Sequence, residues 1–173
     1  MDWSKTQFDY ADLIGKDGED VGFSRFYSSN ISLKTESFLR AGGFDEEFDY
    51  YYEDLDLGWR LSQQGLQLIY SPGALGRHLH SYDWALLERR FEGIARGERL
   101  MAAKHDWFEP FFLQRIEEAL SGPPATALWT HIVDIVPSRA KRLRSVAEDR
   151  ANRWYYRRLG PSFLQAWEAA GTS

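Results

Sequence analysis

The sequence predicts an α/β first part, a few strands among helices over residues 1–106, followed by an all-helical extension over residues 107–173. Three observations carry that expectation. Short alternating segments, Phe26–Leu33 and Leu66–Tyr70, sit between turn-forming residues as strands do. Apolar stripes at helical spacing recur from Glu53 to Leu61 and again from Trp84 to Lys104. Beyond residue 106 only helical periods appear, punctuated by Gly and Pro.

Residues 1–24 are polar, broken by Gly15, Asp17 and Gly18, and read as an irregular lead-in. Phe26–Leu33 reads as a strand that ends in a polar corner. Thr35 is placed to cap a short helix over Glu36–Arg40, which Gly42-Gly43 stops. An acidic loop follows. From Glu53 a helix is expected, with Leu55 and Trp59 on one stripe, Leu57 and Leu61 on the next, and Gly65 as its C-cap. Leu66–Tyr70 reads as a strand closed by Ser71-Pro72-Gly73, and Ala74 to His80 as a short extended segment. Asp83 opens a long helix that turns Leu87, Phe91, Ile94 and Leu100 or Met101 inward. Helices then cover Phe111–Leu120 and Ala127–Val136, and a third starts at Pro137. Gly160-Pro161 sets off a last short helix around Phe163–Ala169.

The totals fit one globular domain, or one domain with a helical appendage: 173 residues, 43% hydrophobic and 16% aromatic. Without cysteine there is no disulfide framework and no thiolate metal site. No apolar run approaches the ~20 residues that span a bilayer, and the N-terminus lacks the hydrophobic segment of a signal peptide. A soluble, cytoplasmic chain is expected. The net charge of −5 hides an asymmetry, because residues 139–158 carry eight Lys/Arg against Glu148 and Asp149. With Trp154, Tyr155 and Tyr156 interleaved, that segment reads as a solvated helix face, or as a helix docking on anionic membrane or nucleic acid.

The chemistry-bearing stretch runs from Asp45 to Leu57, where carboxylates crowd among Phe48 and three tyrosines, Tyr50 to Tyr52. Crowded acids repel one another, so they lie in solvent or await a ligand, metal or proton. Acids in the first turn of a helix also gain ~0.3–1 kcal/mol each from its dipole. That explains Glu53, Asp54 and Asp56 but not the acids upstream of them. Aromatic rings beside carboxylates can instead stack a sugar while the acids take its hydroxyls, and one carboxylate can deprotonate a hydroxyl as a general base. A calcium loop fails, because counting from Asp45 puts Tyr50 where glycine is needed and Asp56 where the terminal Glu belongs. The pair Asp54-x-Asp56 would diverge by ~200° on a helix and could not easily clamp one metal. His78 and His80, two apart on an extended segment, point to one side as metal ligands can, or simply pack.

The order of motifs resembles the C-terminal half of a bacterial family 2 glycosyltransferase. The matching runs are Asn30-x-Ser32-Leu33-Lys34, then Ala41-Gly42-Gly43-Phe44-Asp45-Glu46-x-Phe48, then Tyr52-Glu53-Asp54-Leu55-Asp56-Leu57-Gly58-x-Arg60-Leu61, and last Gly65, Tyr70-Ser71-Pro72, Ala74 and His78-x-His80. The resemblance covers residues 23–105 and implies a partial GT-A fold in residues 1–106, holding the acceptor side and the catalytic base. It makes Asp54 the base of an inverting transfer from a nucleotide-sugar donor to a carbohydrate or glycolipid acceptor. Glu53, Asp45, Glu46, Tyr52 and Asn30 fall on the acceptor side, and His78, with His80 second, on a divalent metal (Mg or Mn). The family's nucleotide-binding half has no counterpart in residues 1–25, so a fragment or split enzyme is expected, inactive unless a separate chain supplies that half. Tyr51-Tyr52 replaces the usual Trp-Gly before Glu-Asp, which leaves the acceptor preference open. The alternatives are a non-catalytic carbohydrate- or partner-binding module and the membrane- or nucleic-acid-docking helix. The main reading expects no nucleic acid, and membrane contact only at the inner face.

Overall fold

The computed structural model describes residues 10–49, 51–76, 83–137 and 139–171. Its backbone divides into two compact units, one within residues 4–82 and one containing residues 83–173. Among the described residues there are helices and turns but no strand, which corrects the α/β, partial GT-A expectation.

The first unit is built on two helices, α1 (Thr35–Arg40) and α2 (Glu53–Gln63). Phe26–Leu33 is not a strand. It follows a short 3₁₀ turn, Phe23–Arg25, and coils through a second, Ser28–Asn30. Its alternating apolar residues are covered by a helix instead of a neighbouring strand: Phe26 joins Leu57 and Leu61 in a buried cluster, with Ile31 and Leu33 against it. Leu66–Tyr70 comes closer to the expectation. It runs antiparallel to residues 18–21, with Val21 N–H donating to Leu68 O at 2.8 Å and Tyr70 N–H to Glu19 O at 3.0 Å. Yet only Asp20 and Ile69 form a bridge. Leu68 N–H is taken by the Asp20 side chain, 3.0 Å away, and so is lost to a ladder. A two-stranded ribbon is marginal in any case.

Helix α1 starts at Thr35 itself, with Lys34 before it in extended backbone and no side-chain cap. The end of α2 follows expectation. Gly65 adopts φ 81°, its N–H bonds Ser62 O, and Leu66 N–H reaches back to Leu61 O at 3.1 Å. That pair of bonds is the Schellman closure, which favours glycine at the left-handed position. Leu66 then packs on the cluster containing Leu61.

The second unit holds α3 (Trp84–Lys104), α4 (Phe111–Ser121), α5 (Leu128–Ile135) and α6 (Lys141–Ala170). Asp83 caps α3 as expected, its carboxylate accepting from Leu86 N–H at 2.7 Å. Leu87, Phe91, Ile94 and Met101 are buried. The sequence groups this helix with the part before it; its packing partners are instead α6 and α4. Helix α6 begins at Lys141, four residues past the expected Pro137, and runs unbroken through Pro161. Burial on both sides of the proline outweighs its preference for a helix end: Leu159, Gly160 and Phe163 are all buried. A Cβ on Gly160 would stand 3.0 Å from Ile116 of α4, so the glycine permits close approach there.

Helix α4 is held at both ends by its neighbours. Pro110 precedes it and supplies no side-chain cap. Glu98 of α3, fully buried, accepts from Phe112 N–H at 2.8 Å and Leu113 N–H at 3.1 Å. At the other end Arg157 of α6 donates to the carbonyls of Ala119, Leu120 and Gly122 at 2.6, 3.0 and 3.1 Å. Each charge complements the dipole of the end it meets. Glu98→Gln keeps one acceptor oxygen and leaves the second amide short of a partner. It is expected to cost about 1–2 kcal/mol in chemical denaturation, with no change in slope.

The same packing revises the basic segment. Arg157 is committed to α4, Arg144 to Glu148 at 2.9 Å and to Val136 O, and Arg153 faces Asp149 at 3.9 Å. Arg150 and Arg158 lie over the rings of Trp129 and Trp84. Trp154 and Tyr155 also pack around Trp84. Most of the charge that suggested an anionic surface thus holds the bundle together. Among the described residues no helix is long and apolar enough to cross a membrane.

Candidate active site

The acidic stretch folds as a turn, a strained residue and the first turn of α2. Asp45 shapes the turn: its Oδ1 accepts from Glu47 N–H at 3.0 Å and its carbonyl from Phe48 N–H at 3.1 Å. Phe48 is buried behind it, and Glu46 is exposed. Immediately before α2, Tyr52 is in the left-handed region at φ 75°, ψ −4°, alone among the described non-glycine residues. That conformation costs an L-residue roughly 1–2 kcal/mol, and such strain clusters where a site must be held in one geometry.

Glu53 and Asp54 follow the strained residue directly. Asp54 Oδ1 accepts from Leu55 N–H at 2.8 Å, and Oδ2 from Ser28 N–H at 3.3 Å. Burial pushes the Asp54 carboxyl above its usual range, against the lowering effect of those backbone hydrogen bonds. Burial also raises Glu53, and the neighbouring Asp54 charge adds to it. Glu53 Oε2 is buried and has no hydrogen-bond partner among the described residues. The pair therefore combines a carboxylate held by the Ser28 and Leu55 amides and the Ser28 side chain with a second, buried carboxyl oxygen that has no hydrogen-bond partner among the described residues.

A carboxyl with a raised native pKa binds its proton more tightly folded than unfolded. Stability is then lost as pH rises from the unfolded pKa through the native one. Glu53→Gln is accordingly expected to raise the melting stability at pH 7, by about 1 kcal/mol. The gain should vanish at acid pH, where wild-type Glu53 is itself protonated, and thermal melts at both pH values read it.

Asp56 and Asn30 have structural partners. Asp56 is 2% exposed and turned away from Asp54. It pairs with Arg60 at 2.7 Å, and Arg60 donates to the carbonyls of Ala41 and Gly43, so this pair pins the Ala41–Gly43 turn to α2. Asn30 is not on a strand; its side-chain N–H donates to Ala74 O at 2.8 Å and ties down the loop after Tyr70. Asp45, Tyr52, Glu53 and Asp54 are close along the chain, and Asn30 shares its turn with Ser28. His78 and His80 lie outside the described residues, as does Tyr50. Among the described residues no three His, Asp or Glu side chains gather as a metal site requires.

Two contributors were not anticipated from the sequence. Ser28 reaches Asp54 through both its backbone amide and its side chain, from a position 26 residues away that no local pattern links to the acid. Gly58 lets α2 approach the Phe23–Phe26 turn: a Cβ there would stand 2.6 Å from Phe26 Cβ and 3.0 Å from Phe23 O.

No family model matches the chain, and no solved structure does. Over 52 residues the chain is 40% identical to the Validoxylamine A glucosyltransferase of Streptomyces hygroscopicus subsp. jinggangensis, and equally to that of subsp. limoneus. The matched stretch is 30% of this chain and 12% of each relative. The chain thus has a local similarity to a glycosyltransferase, over a small part of that enzyme's length.

Proposed function

We propose that the first unit supplies the acceptor side of a sugar transfer, with Asp54 as general base. The observation that carries the proposal is a half-buried, amide-anchored Asp54 beside a Glu53 oxygen with no hydrogen-bond partner among the described residues, in a chain with local similarity to a glycosyltransferase.

In this reaction an acceptor hydroxyl attacks the anomeric carbon of a nucleotide-sugar. The new C–O bond forms as the bond to the nucleoside diphosphate breaks, with inversion at that carbon. The hydroxyl proton passes to Asp54 Oδ2, whose hydrogen bond to Ser28 is the longer of its two. A base works best when its pKa approaches the operating pH, and burial moves Asp54 in that direction. Glu53 Oε2 faces the acceptor as a hydrogen-bonding group, with Tyr51 and Tyr52, both half-buried, as the ring surface.

The relatives' names state transfer of glucose to validoxylamine A; the proposal takes over only the reaction class. The matched stretch is a small fraction of those enzymes, so donor binding is assigned to a part other than the Asp54 unit. A divalent metal belongs to that donor site, with His78 and His80 as its candidate ligands from this chain. The purified chain alone is expected to leave a panel of nucleotide-sugars intact, and release of nucleotide by it would overturn that division. Asp54→Asn, assayed with the donor-binding part present, tests the base. Loss of transfer with retained acceptor binding supports it and separates it from a non-catalytic carbohydrate-binding module.

A further inference from the structure

We infer that the second unit carries its own saccharide-binding cleft, between α4 and α6. The cleft has a volume of about 350 Å³ and is open to solvent, at the small end of ligand sites, which run roughly 300–1,000 Å³. This inference does not rest on the reading of Asp54.

The chemistry of its walls selects the ligand. From α4 come Phe111, 49% exposed, and Arg115, whose guanidinium lies 5.3 Å above the Phe111 ring. From α6 come Asp149, Asn152 and Arg153. Each guanidinium already faces a carboxylate: Arg115 meets Glu118 at 3.5 Å, and Arg153 meets Asp149 at 3.9 Å. Glu148 adds a further carboxylate to the lining. Glu148 is itself paired with Arg144 at 2.9 Å. An anion would therefore have to displace acids from guanidinium groups already committed to them, and would come to rest beside three carboxylates, Glu118, Glu148 and Asp149. A neutral polyol has no such difficulty. Its hydroxyls donate and accept at once, so they can enter between guanidinium and carboxylate without stripping either of its counter-charge. Asn152 offers both functions again, and Phe111 gives the apolar C–H face of a sugar ring a wall. Tyr156 borders the cleft with a phenol that burial pushes up to about 12, so it stays a neutral hydroxyl at any working pH.

Exposed ion pairs of this kind contribute only about 0–1 kcal/mol to folding, so the cleft can be altered without unfolding the bundle. The test is an NMR titration of the ¹⁵N-labelled full chain with maltose, lactose and trehalose, with inorganic phosphate as the competing chemistry. At least one disaccharide is expected to give saturable shifts at Arg115, Asn152 and Arg153, with a Kd of order 1 mM. The double variant Asp149→Ala, Asn152→Ala should weaken it by about tenfold or more at an unchanged melting temperature, while Asp54→Asn leaves it unchanged. The inference is overturned by the absence of saturable shifts at those residues, by phosphate binding there more tightly than the sugars, or by loss of the response in Asp54→Asn.

Discussion

Asp54→Asn is expected to lower the rate of sugar transfer by about 10²–10⁴, the usual contribution of a positioned general base, while acceptor affinity stays within about twofold. The substitution is nearly isosteric. Its remaining oxygen can still accept from Leu55 N–H or Ser28 N–H, the two amides that hold the wild-type carboxylate. Geometry therefore survives and proton affinity does not. A purely structural Asp54 would give the opposite pattern, a fall in melting temperature with transfer kept in proportion to folded protein. In the wild type, transfer should fall as pH drops through the Asp54 pKa, because the protonated acid cannot accept the acceptor's proton. Burial places that limb above the ordinary value of 3.8.

Gly58→Val is expected to destabilise the first unit by about 3 kcal/mol or more, at the upper end of what overpacking costs. Two effects compete at this position. Helix propensity favours a side chain over glycine by up to about 1 kcal/mol. Against it stands a steric conflict that cannot be relieved by rotating a side chain, because the obstacles are Phe26 Cβ at 2.6 Å and the Phe23 carbonyl at 3.0 Å. Phe26 is 2% exposed and packed on Leu57 and Leu61, so the turn has nowhere to retreat. Sterics win. Gly58→Ala should show the same sign at about half the size, since one carbon meets the same two atoms with the propensity gain fully in hand. Any shift of α2 away from residues 23–28 also lengthens the Ser28–Asp54 contact. Melting curves read the first effect, and transfer by the folded fraction reads the second.

What could be read from the sequence was what the chain specifies locally. The Asp83 cap, the Gly65 closure and the inward stripe from Leu87 to Met101 depend on residues within a few positions of each other, and all appear as expected. Strands depend on partners. The alternation at Phe26–Leu33 marks one apolar face, but nothing in it says whether a sheet or a helix covers that face, and α2 does. Pro161 misled for a similar reason, since its local preference yields to the packing of Leu159 and Phe163 on either side. Glu98 could have been noticed. It sits four residues past Ile94 and seven past Phe91 on the buried stripe, where a carboxylate needs a partner, and the amides of α4 provide it.

The site divides along the same line. Motif and crowding single out Asp54 and Glu53, and folding supplies what those patterns do not contain: the Ser28 and Leu55 amides on Asp54 and a buried oxygen on Glu53 with no partner among the described residues. Asp56, expected to stabilise the helix start, lies in the first turn of α2 and also holds Arg60 against two carbonyls of a distant turn. Ser28 gave no signal because it meets Asp54 from 26 residues away, a contact that only the fold creates.

The central claim, that Asp54 accepts the acceptor's proton, is tested most directly by pairing its carboxyl titration with activity. The midpoint comes from ¹³C NMR of the Asp54 carboxyl in the folded chain, and it is compared with the acid limb of the transfer rate. The account predicts one shared midpoint, above 3.8. An Asp54 that titrates at or below that value, or an acid limb that persists unchanged in Asp54→Asn, would contradict it.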